Sequence, residues 1–222
     1  MENGTSGAQR GIFITLEGVD GSGKSTKARF LAADLEARGR EVVCLREPGG
    51  TKISEAIRAL LLDPANDEMT NEAELLLYEA SRAQLVRQVI EPALARGAVV
   101  ICDRFYDSTY AYQASARGID EAIVRRANEL GSCGLVPDRT IVFDMDASEA
   151  YERATRHGVD RLEQEGVSFQ ELVRRGYLRL AQEEPERIRV VDGIGDKPEV
   201  YGRMLAALVD VLPEAAEIEP HA

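Results

Sequence analysis

The segment GVDGSGKS at residues 18–25 decides the fold, because it places glycines, a lysine and a hydroxyl at the offsets of a phosphate-binding loop. Residues 12–16, just before it, are β-branched and apolar, as in a buried strand. After it, apolar residues recur at helical spacing over residues 28–35. Strand, glycine loop and helix therefore follow one another in the order that such a loop requires.

The chemistry of this loop predicts a nucleotide site. Its glycines let backbone N–H groups turn inward onto a polyphosphate, and the next helix points its positive dipole end at the same charge. We expect Lys24 to neutralise β- and γ-phosphate oxygens, and Ser25 to offer its hydroxyl to Mg2+. A plain glycine turn would not need Lys24 and Ser25 in register. The predicted ATP-binding residues are Gly18, Val19, Asp20, Gly21, Ser22, Gly23, Lys24, Ser25 and Thr26.

The composition bounds the class of protein. A chain of 222 residues that is 44% hydrophobic can form one sizeable core. Its 39 acidic and 27 basic residues give a net charge of -12, which opposes binding to nucleic acid or an anionic membrane. Cys44, Cys102 and Cys133 are odd in number and widely spaced, which favours neither a disulfide framework nor a zinc site. The sequence shows no signal peptide and no apolar run long enough to cross a bilayer. We therefore expect a soluble, cytoplasmic protein.

Predicted strands and helices alternate along the chain. The predicted strands are residues 12–16, 41–45, 98–102, 139–144 and 188–191, and the predicted helices after the first are 51–62, 71–96, 119–130, 147–157, 167–183 and 198–212. This alternation predicts an α/β fold of three layers, α/β/α, around a five-stranded parallel sheet. We expect residues 11–212 to form one domain between a disordered tail, 1–10, and an acidic tail with little to bury, 213–222.

Charged side chains follow the second and third predicted strands. Arg46 and Glu47 open a Pro-Gly-Gly turn at the carboxyl end of a strand, where open α/β sheets bind ligands, although a solvated turn explains them equally well. Asp103 is placed to hold Mg2+ or a substrate group, and Arg104 to hold a phosphate. Alternatively, Asp103 caps a turn.

Two further groups of polar residues have two interpretations each. Tyr78 and Arg82 lie one turn apart on a helix, either as a core-margin ring and a snorkelling cation or as the walls of a pocket for a flat base. Residues 108–113 concentrate hydroxyls and an amide, which must face either water or a ligand.

A basic cluster lies late in the acidic chain. Arg153, Arg156 and Arg161 surround Gly158 and Asp160. The simpler interpretation is a solvated helix end. The other is a mobile lid over about residues 153–167, which closes arginines over the transferring phosphoryl group.

Together these segments resemble the thymidylate kinase family. The resemblance runs from about residue 12 to about residue 212 and is carried by LEGVDGSGKST at 16–26, REPGG at 46–50, DRF at 103–105 and YQ at 112–113. The REPGG block is the most family-specific part. The resemblance implies phosphoryl transfer from ATP to dTMP in dTTP synthesis, with Mg2+, on a P-loop NTPase type of fold in a homodimer.

The resemblance also implies roles for single residues. It assigns Asp20 to the sugar 3'-hydroxyl or the metal, Arg46 and Arg104 to the dTMP phosphate, and Asp103 to the magnesium and phosphate network. Tyr78 corresponds to a phenylalanine that stacks on thymine, and Arg82 to an arginine that reaches its exocyclic oxygen. The implied dTMP site is Asp20, Arg46, Tyr78, Arg82, Arg104, Ser108, Thr109, Tyr112 and Gln113; the metal site is Ser25 and Asp103; the catalytic set is Lys24, Asp103, Arg104, Arg153 and Arg156.

The chain departs from the family pattern at a few positions. Phe105 replaces a frequent tyrosine, Ala114 replaces a frequent glycine, and the lid is slightly shorter than the bacterial pattern. In this family the loop or the lid tends to carry the catalytic arginine. Since the loop of this chain has none, the resemblance implies that the arginine is in the lid.

Three other functions are compatible with a phosphate-binding loop. The first is a kinase for dUMP, CMP or AMP. The pair Tyr78 and Arg82, together with the REPGG block, argues against this function. A GTP-dependent switch would carry an Asn-Lys-x-Asp segment, which is absent from the sequence. A catalytically silent nucleotide-binding subunit would be expected to lose Lys24, Asp103 or the lid arginines, all of which are present.

Overall fold

The computed structural model describes residues 10–156 and 161–221. Within them, five strands form one sheet in the order β2-β3-β1-β4-β5, and every neighbouring pair is parallel. The strands are β1 (Ile12–Glu17), β2 (Val42–Arg46), β3 (Val99–Asp103), β4 (Arg139–Asp144) and β5 (Ile188–Asp192). The predicted α/β fold with a five-stranded parallel sheet is confirmed.

Helices cover both faces of the sheet, so the predicted three layers are present. They are α1 (Lys24–Ala37), α2 (Lys52–Leu62), α3 (Asn71–Leu85), α4 (Glu91–Ala95), α5 (Tyr106–Thr109), α6 (Glu121–Gly131), α7 (Ala147–Ala154), α8 (Gly166–Glu183) and α9 (Lys197–Ala206). One core joins β1 to α1 and α9, a second joins β4 to α8, and a third joins β3 to α3 and α4. Because β1 lies between these layers, its apolar side chains are buried on both faces.

Several helix ends differ from the prediction. Asp120 accepts hydrogen bonds from the N–H groups of Ala122 and Ile123, so α6 begins two residues later than the spacing suggests. Helix α7 ends at Ala154, whereas the predicted helix ran to residue 157, which lies outside the described residues. Helix α9 ends at Ala206, and turns replace the predicted helix as far as residue 211.

The long helix predicted at 71–96 is interrupted. A π-helical turn, Val86–Ile90, separates α3 from α4. Pro92 has no N–H to donate to Gln88, and its ring would crowd that carbonyl, so a wider turn precedes the proline. A second π-helical stretch, Tyr110–Ala116, extends α5 and carries much of the predicted polar cluster.

The expectation that residues 213–222 have little to bury is wrong. Pro213–Glu217 forms a short 3-10 helix, and Ala215 and Ile218 enter the core that contains α1 and α9. Nη2 of Arg38 donates to the carbonyl of Glu217 at 2.8 Å. Ala215 and Ile218 are spaced three apart and bury the apolar side of this segment, although the acidic residues around them hide the pattern. The expected N-terminal tail lies almost wholly outside the described residues.

In the two described ranges, no helix is both long enough and apolar enough to cross a membrane.

Candidate active site

The glycine loop between β1 and α1 adopts a conformation that only glycine favours. Gly18, Gly21 and Gly23 have φ angles of 138°, 84° and 85°. A Cβ on Gly21 would collide with the carbonyl oxygen of Ala150, because α7 packs directly against the loop. The loop is therefore held closely by α7, the helix that leads into the predicted lid segment.

Lys24 opens α1 with its side chain turned back into the loop. Its Nζ donates to the carbonyl of Val19 at 3.1 Å and lies 3.7 Å from Oδ1 of Asp20. Burial lowers the pKa of Lys24, and the Arg104 cation adds to this effect, while Asp20 and Asp103 oppose it. The buried hydroxyl of Ser22 has no hydrogen-bond partner in the described part of the chain. A buried cation and an unpartnered hydroxyl suit a loop that receives an anion.

Ser25 and Asp103 meet at the ends of α1 and β3. The Ser25 hydroxyl donates to Oδ2 of Asp103. A hydroxyl and a carboxylate are oxygen ligands of the kind that Mg2+ prefers. The described residues contain no cluster of three acidic, histidine or cysteine ligands, so a metal here would need oxygens from a bound phosphate. Ser25 and Asp103 fit that requirement.

A polar cleft opens beside the loop, at the carboxyl ends of the strands. The described residues that line it are Asp20, Glu47, Pro48, Arg58, Leu62, Tyr78, Arg104, Ser108, Thr109, Tyr112, Gln113 and Leu162. Seven of the nine predicted dTMP residues are among them. The remaining lining residues are not in the predicted dTMP site. Of these, Glu47 and Pro48 lie in the REPGG block and could have been included. The other three are Arg58 and Leu62 of α2 and Leu162 of an irregular segment. No motif around them marks them as part of a binding site.

Arg104 lies at the centre of this polar cleft. Its φ angle of 73° is unusual for a residue with a side chain. Nη2 donates to Oδ1 of Asp20 at 2.6 Å and to the Tyr112 hydroxyl at 3.1 Å. Burial acts to raise the pKa of Asp20, but the Arg104 and Lys24 cations outweigh it and hold that pKa well below its usual range. Asp20 therefore stays ionised beside the loop.

Tyr78 and Arg82 occupy different depths. Tyr78 lines the polar cleft, whereas Arg82 is 1% exposed and lies behind it. Nη2 of Arg82 donates to the hydroxyl of Thr109 at 2.8 Å, and Nε donates to Oε2 of Glu47 at 2.8 Å. Because Thr109 and Glu47 line the polar cleft, Arg82 supports its wall from beneath. To contact a base in the polar cleft, as predicted, the Arg82 guanidinium would have to extend beyond Thr109 and Glu47.

Arg46 lies beside the polar cleft and does not line it. Both of its terminal nitrogens donate to Glu55 at 3.0 Å, and Arg46 is not among the described residues that line the polar cleft. It instead lines a neighbouring open cavity together with Ser25 and Asp103. The strand register explains this, because Arg46 pairs with Asp103 across β2 and β3.

The three arginines of the predicted lid have different surroundings. Arg153 is half-buried, pairs with Glu149, and lies close enough to Lys27 to help lower the pKa of that lysine, which burial lowers most. Arg156 is exposed. Arg161 is buried, with Nη2 paired to Glu74 and Nε donating to the carbonyl of Leu61 at 2.8 Å. Arg153 is therefore near the loop, whereas Arg161 is engaged elsewhere.

Comparisons with known proteins agree on one family. A family model described as thymidylate kinase matches residues 16–200. The thymidylate kinase of Desulfosudis oleivorans is 49% identical over 205 residues, covering 89% of this chain and 96% of that protein. The thymidylate kinase of Pseudomonas syringae pv. tomato is 47% identical over 210 residues, covering 94% and 98%. The crystal structure of thymidylate kinase from Ehrlichia chaffeensis superposes with a TM-score of 0.71 at 35% identity, covering 90% of this chain and 99% of that one.

Proposed function

This chain belongs to the thymidylate kinase family, and on that premise we propose that it transfers the γ-phosphoryl group of ATP to dTMP, giving ADP and dTDP for dTTP synthesis. Membership makes it a nucleoside monophosphate kinase, a phosphotransferase. The observation that carries the proposed substrate is the polar cleft beside the glycine loop, where Tyr78, Arg104 and Asp20 line one space.

The donor end of the reaction belongs to the glycine loop. Inward-facing N–H groups and the start of α1 hold the phosphates of ATP, and Lys24 leaves the Val19 carbonyl to bind β- and γ-oxygens. Since Lys24 is already buried, its charge acts in a medium of low dielectric and stabilises the transferring phosphoryl group strongly.

Ser25 and Asp103 would hold Mg2+ with phosphate oxygens of ATP. When bound, the metal supplies neutralisation of the charge on the phosphates. The part of this chain is to fix the hydroxyl of α1 and the carboxylate of β3 next to each other.

The acceptor end of the reaction belongs to the polar cleft. Arg104 lies 2.6 Å from Asp20, and its guanidinium can donate to the dTMP phosphate while Asp20 keeps it directed towards the loop. Arg46 would join that phosphate by leaving Glu55. Tyr78 stacks on the thymine ring, and Ser108, Thr109, Tyr112 and Gln113 surround the nucleoside.

Catalysis also needs a cation at the transferring group, which Arg153 or Arg156 would supply. Arg153 is the first candidate, because its charge helps to lower the pKa of Lys27, whose Nζ lies beside Gly23 of the loop. Its present partner, Glu149, is on the same helix, so the side chain can turn without unfolding α7.

The proposal extends to a homodimer formed by exposed apolar side chains of α2, α3 and α6. Ile53 and Leu60 are about half exposed on α2, Leu76 is 65% exposed on α3, and Ile123 is 57% exposed on α6. Leu76 and Ile123 line one shallow cavity, so they form a continuous patch of the kind that subunit contacts cover. Leu76→Glu should produce monomers in sedimentation experiments, whereas Val209→Glu, at an exposed apolar residue after α9, should leave the assembly unchanged.

The three free thiols are consistent with a reducing, cytoplasmic setting. A net charge of -12 disfavours nucleic acid as a partner.

The test is a coupled assay of ADP release with ATP, Mg2+ and a panel of monophosphates: dTMP, dUMP, dCMP, CMP and AMP. We expect dTMP to have the highest kcat/KM. A higher value for any other monophosphate would overturn the substrate assignment while leaving the chain a nucleotide kinase.

A further inference from the structure

Glu17 is a buried carboxylate that the proposed chemistry does not use. It is the last residue of β1, is 0% exposed, and is not among the described residues that line the polar cleft. Oε1 accepts from the N–H of Phe105 at 2.6 Å. Oε2 accepts from the hydroxyls of Ser108, at 2.6 Å, and Tyr177, at 3.0 Å.

These three donors surround Arg104. Phe105 follows Arg104 directly, so the bond to Oε1 holds the backbone immediately after the unusual φ angle of 73°. The Ser108 and Tyr177 hydroxyls also accept from Nη1 of Arg104, at 3.1 and 2.9 Å. Glu17 therefore touches the backbone next to Arg104 and both hydroxyls that hold its Nη1.

The hydrogens of these hydroxyls have to be oriented. Each hydroxyl has a single hydrogen, and a guanidinium only donates, so Ser108 and Tyr177 must present lone pairs to Arg104. Their oxygens are 2.7 Å apart, so without another acceptor one would donate to the other. Burial and the Asp107 charge raise the pKa of Glu17 to about 7, against the opposing Arg104 cation and the hydrogen bonds from Ser108 and Phe105. Above that pH, the ionised Glu17 draws both hydrogens to Oε2 and leaves both oxygens as acceptors for Nη1.

A role in stability alone explains Glu17 poorly. A buried carboxylate without a directly paired cation costs free energy, and Glu17 forms no ion pair within the described ranges; its three partners are one N–H and two hydroxyls. An uncharged residue would fill the same space at lower cost, whereas only an acceptor of negative charge orients both hydroxyls.

We propose that Glu17 is a positioning residue for Arg104, which it holds through the Phe105 N–H and through the two hydroxyls that it turns into acceptors for the guanidinium. The inference rests on the proposed function, in which Arg104 binds the phosphate of dTMP. Glu17 itself acts at one remove from the substrate.

Two variants test the role. Glu17→Gln places an amide N–H against a hydroxyl, which turns that hydroxyl's hydrogen towards Arg104. Tyr177→Phe removes one acceptor of Arg104 but keeps the buried ring. Tyr201→Phe is the matched control, because its hydroxyl also donates to a carboxylate, that of Asp34 at 2.5 Å, from a buried ring in the core that contains α1 and α9.

We expect each test variant to raise the KM for dTMP and the Kd for dTMP in calorimetry by about tenfold or more, while the KM for ATP stays within about twofold, since a hydrogen bond to a charged group is lost. Tyr201→Phe should match wild type in all three constants. If Glu17→Gln fails to fold, Glu17→Asp takes its place, because Tyr177→Phe removes a direct partner of Arg104 and does not by itself test Glu17.

The outcomes separate the two proposals. Wild-type protein that does not phosphorylate dTMP would overturn the proposed function and this role with it. Active wild-type protein with unchanged dTMP constants in Glu17→Gln, or equal losses for dTMP and ATP in that variant, would overturn the positioning role alone.

Discussion

Arg82 donates from Nε to Oε2 of Glu47 across 2.8 Å, and both side chains are almost wholly withdrawn from water. Oε1 of Glu79 accepts from Nη1 of the same guanidinium at 2.7 Å. Two carboxylates therefore share one cation. Burial raises the pKa of Glu47 to about 7, with the Glu79 charge adding to the rise and Arg82 opposing it. Glu47 thus takes up a proton near neutral pH.

This arrangement predicts how stability depends on pH. Because the pKa of Glu47 is raised in the folded state, its contribution to stability is complete below the unfolded value of 4.5 and is lost as pH rises through about 7. Glu47→Gln should therefore reduce the loss of unfolding free energy between pH 5 and pH 8 by on the order of 2–3 kcal/mol. Urea unfolding of wild type and Glu47→Gln at pH 5 and pH 8 measures this change in unfolding free energy.

Glu55→Gln is the control for this pH experiment. Hydrogen bonds from Arg46 and the Gly50 N–H lower the pKa of exposed Glu55, so its titration lies below the window. The control should lose as much stability as wild type between pH 5 and pH 8. An equal loss in Glu47→Gln would show that Glu47 is ionised across the whole range.

A second prediction concerns Lys24, whose Nζ contacts the loop carbonyl of Val19. Lys24→Ala should lower kcat by about a hundred- to a thousandfold, because a preorganised charge at the transferring phosphoryl group is lost. Circular dichroism should show an intact fold, since the substitution removes no apolar packing. Lys52→Ala, on the exposed start of α2, is the control. Near-normal turnover in Lys24→Ala would rule out the phosphate-loop assignment.

A third prediction separates the arginines of the predicted lid. Alanine at Arg153 or Arg156 should lower kcat far more than dTMP affinity, the pattern of a group engaged mainly in the transition state. Arg161→Ala should instead lower stability by about 1–3 kcal/mol, because it removes a buried partner of Glu74. Steady-state kinetics and urea unfolding of the three variants decide between these roles. Full turnover in both Arg153→Ala and Arg156→Ala would place the catalytic cation elsewhere.

The parts of this molecule that could be predicted are those with a local cause. The glycine loop and Lys24 lie within a few residues of each other, and the strand–helix alternation repeats along the whole chain. By contrast, Glu17 and Tyr177 are 160 positions apart, and they meet only because the fold brings the Tyr177 hydroxyl of α8 to the end of β1. No spacing in the sequence brings them together.

Burial depth was also beyond sequence reasoning. The helical period correctly put Tyr78 and Arg82 on one side of α3, but it could not show that Arg82 lies beneath Thr109 rather than in the open cleft. A period gives direction around a helix, whereas depth depends on what the neighbouring segments place on top. The interruption at residues 86–90 was readable, since Pro92 is a strong local signal.

The last prediction concerns the choice of base, where depth changes the design of the test. Arg82→Ala leaves Glu47 and Glu79 buried without their cation, so the variant loses stability as well as any contact with a base. The ratio of kcat/KM for dTMP to that for dCMP is independent of the fraction of folded enzyme, and it is therefore the quantity to measure.

O4 of thymine accepts a hydrogen bond, whereas the amino group of cytosine donates, so a guanidinium that reaches this edge favours dTMP. Losing such a contact should narrow the ratio by about ten- to a hundredfold, mostly by weakening dTMP. Tyr78→Ala removes a stacking ring that any flat base can use, so it should weaken both pyrimidines and keep the ratio. An unchanged ratio in Arg82→Ala would mean that this arginine only supports the wall of the polar cleft, and that Thr109 or Gln113 distinguishes the bases.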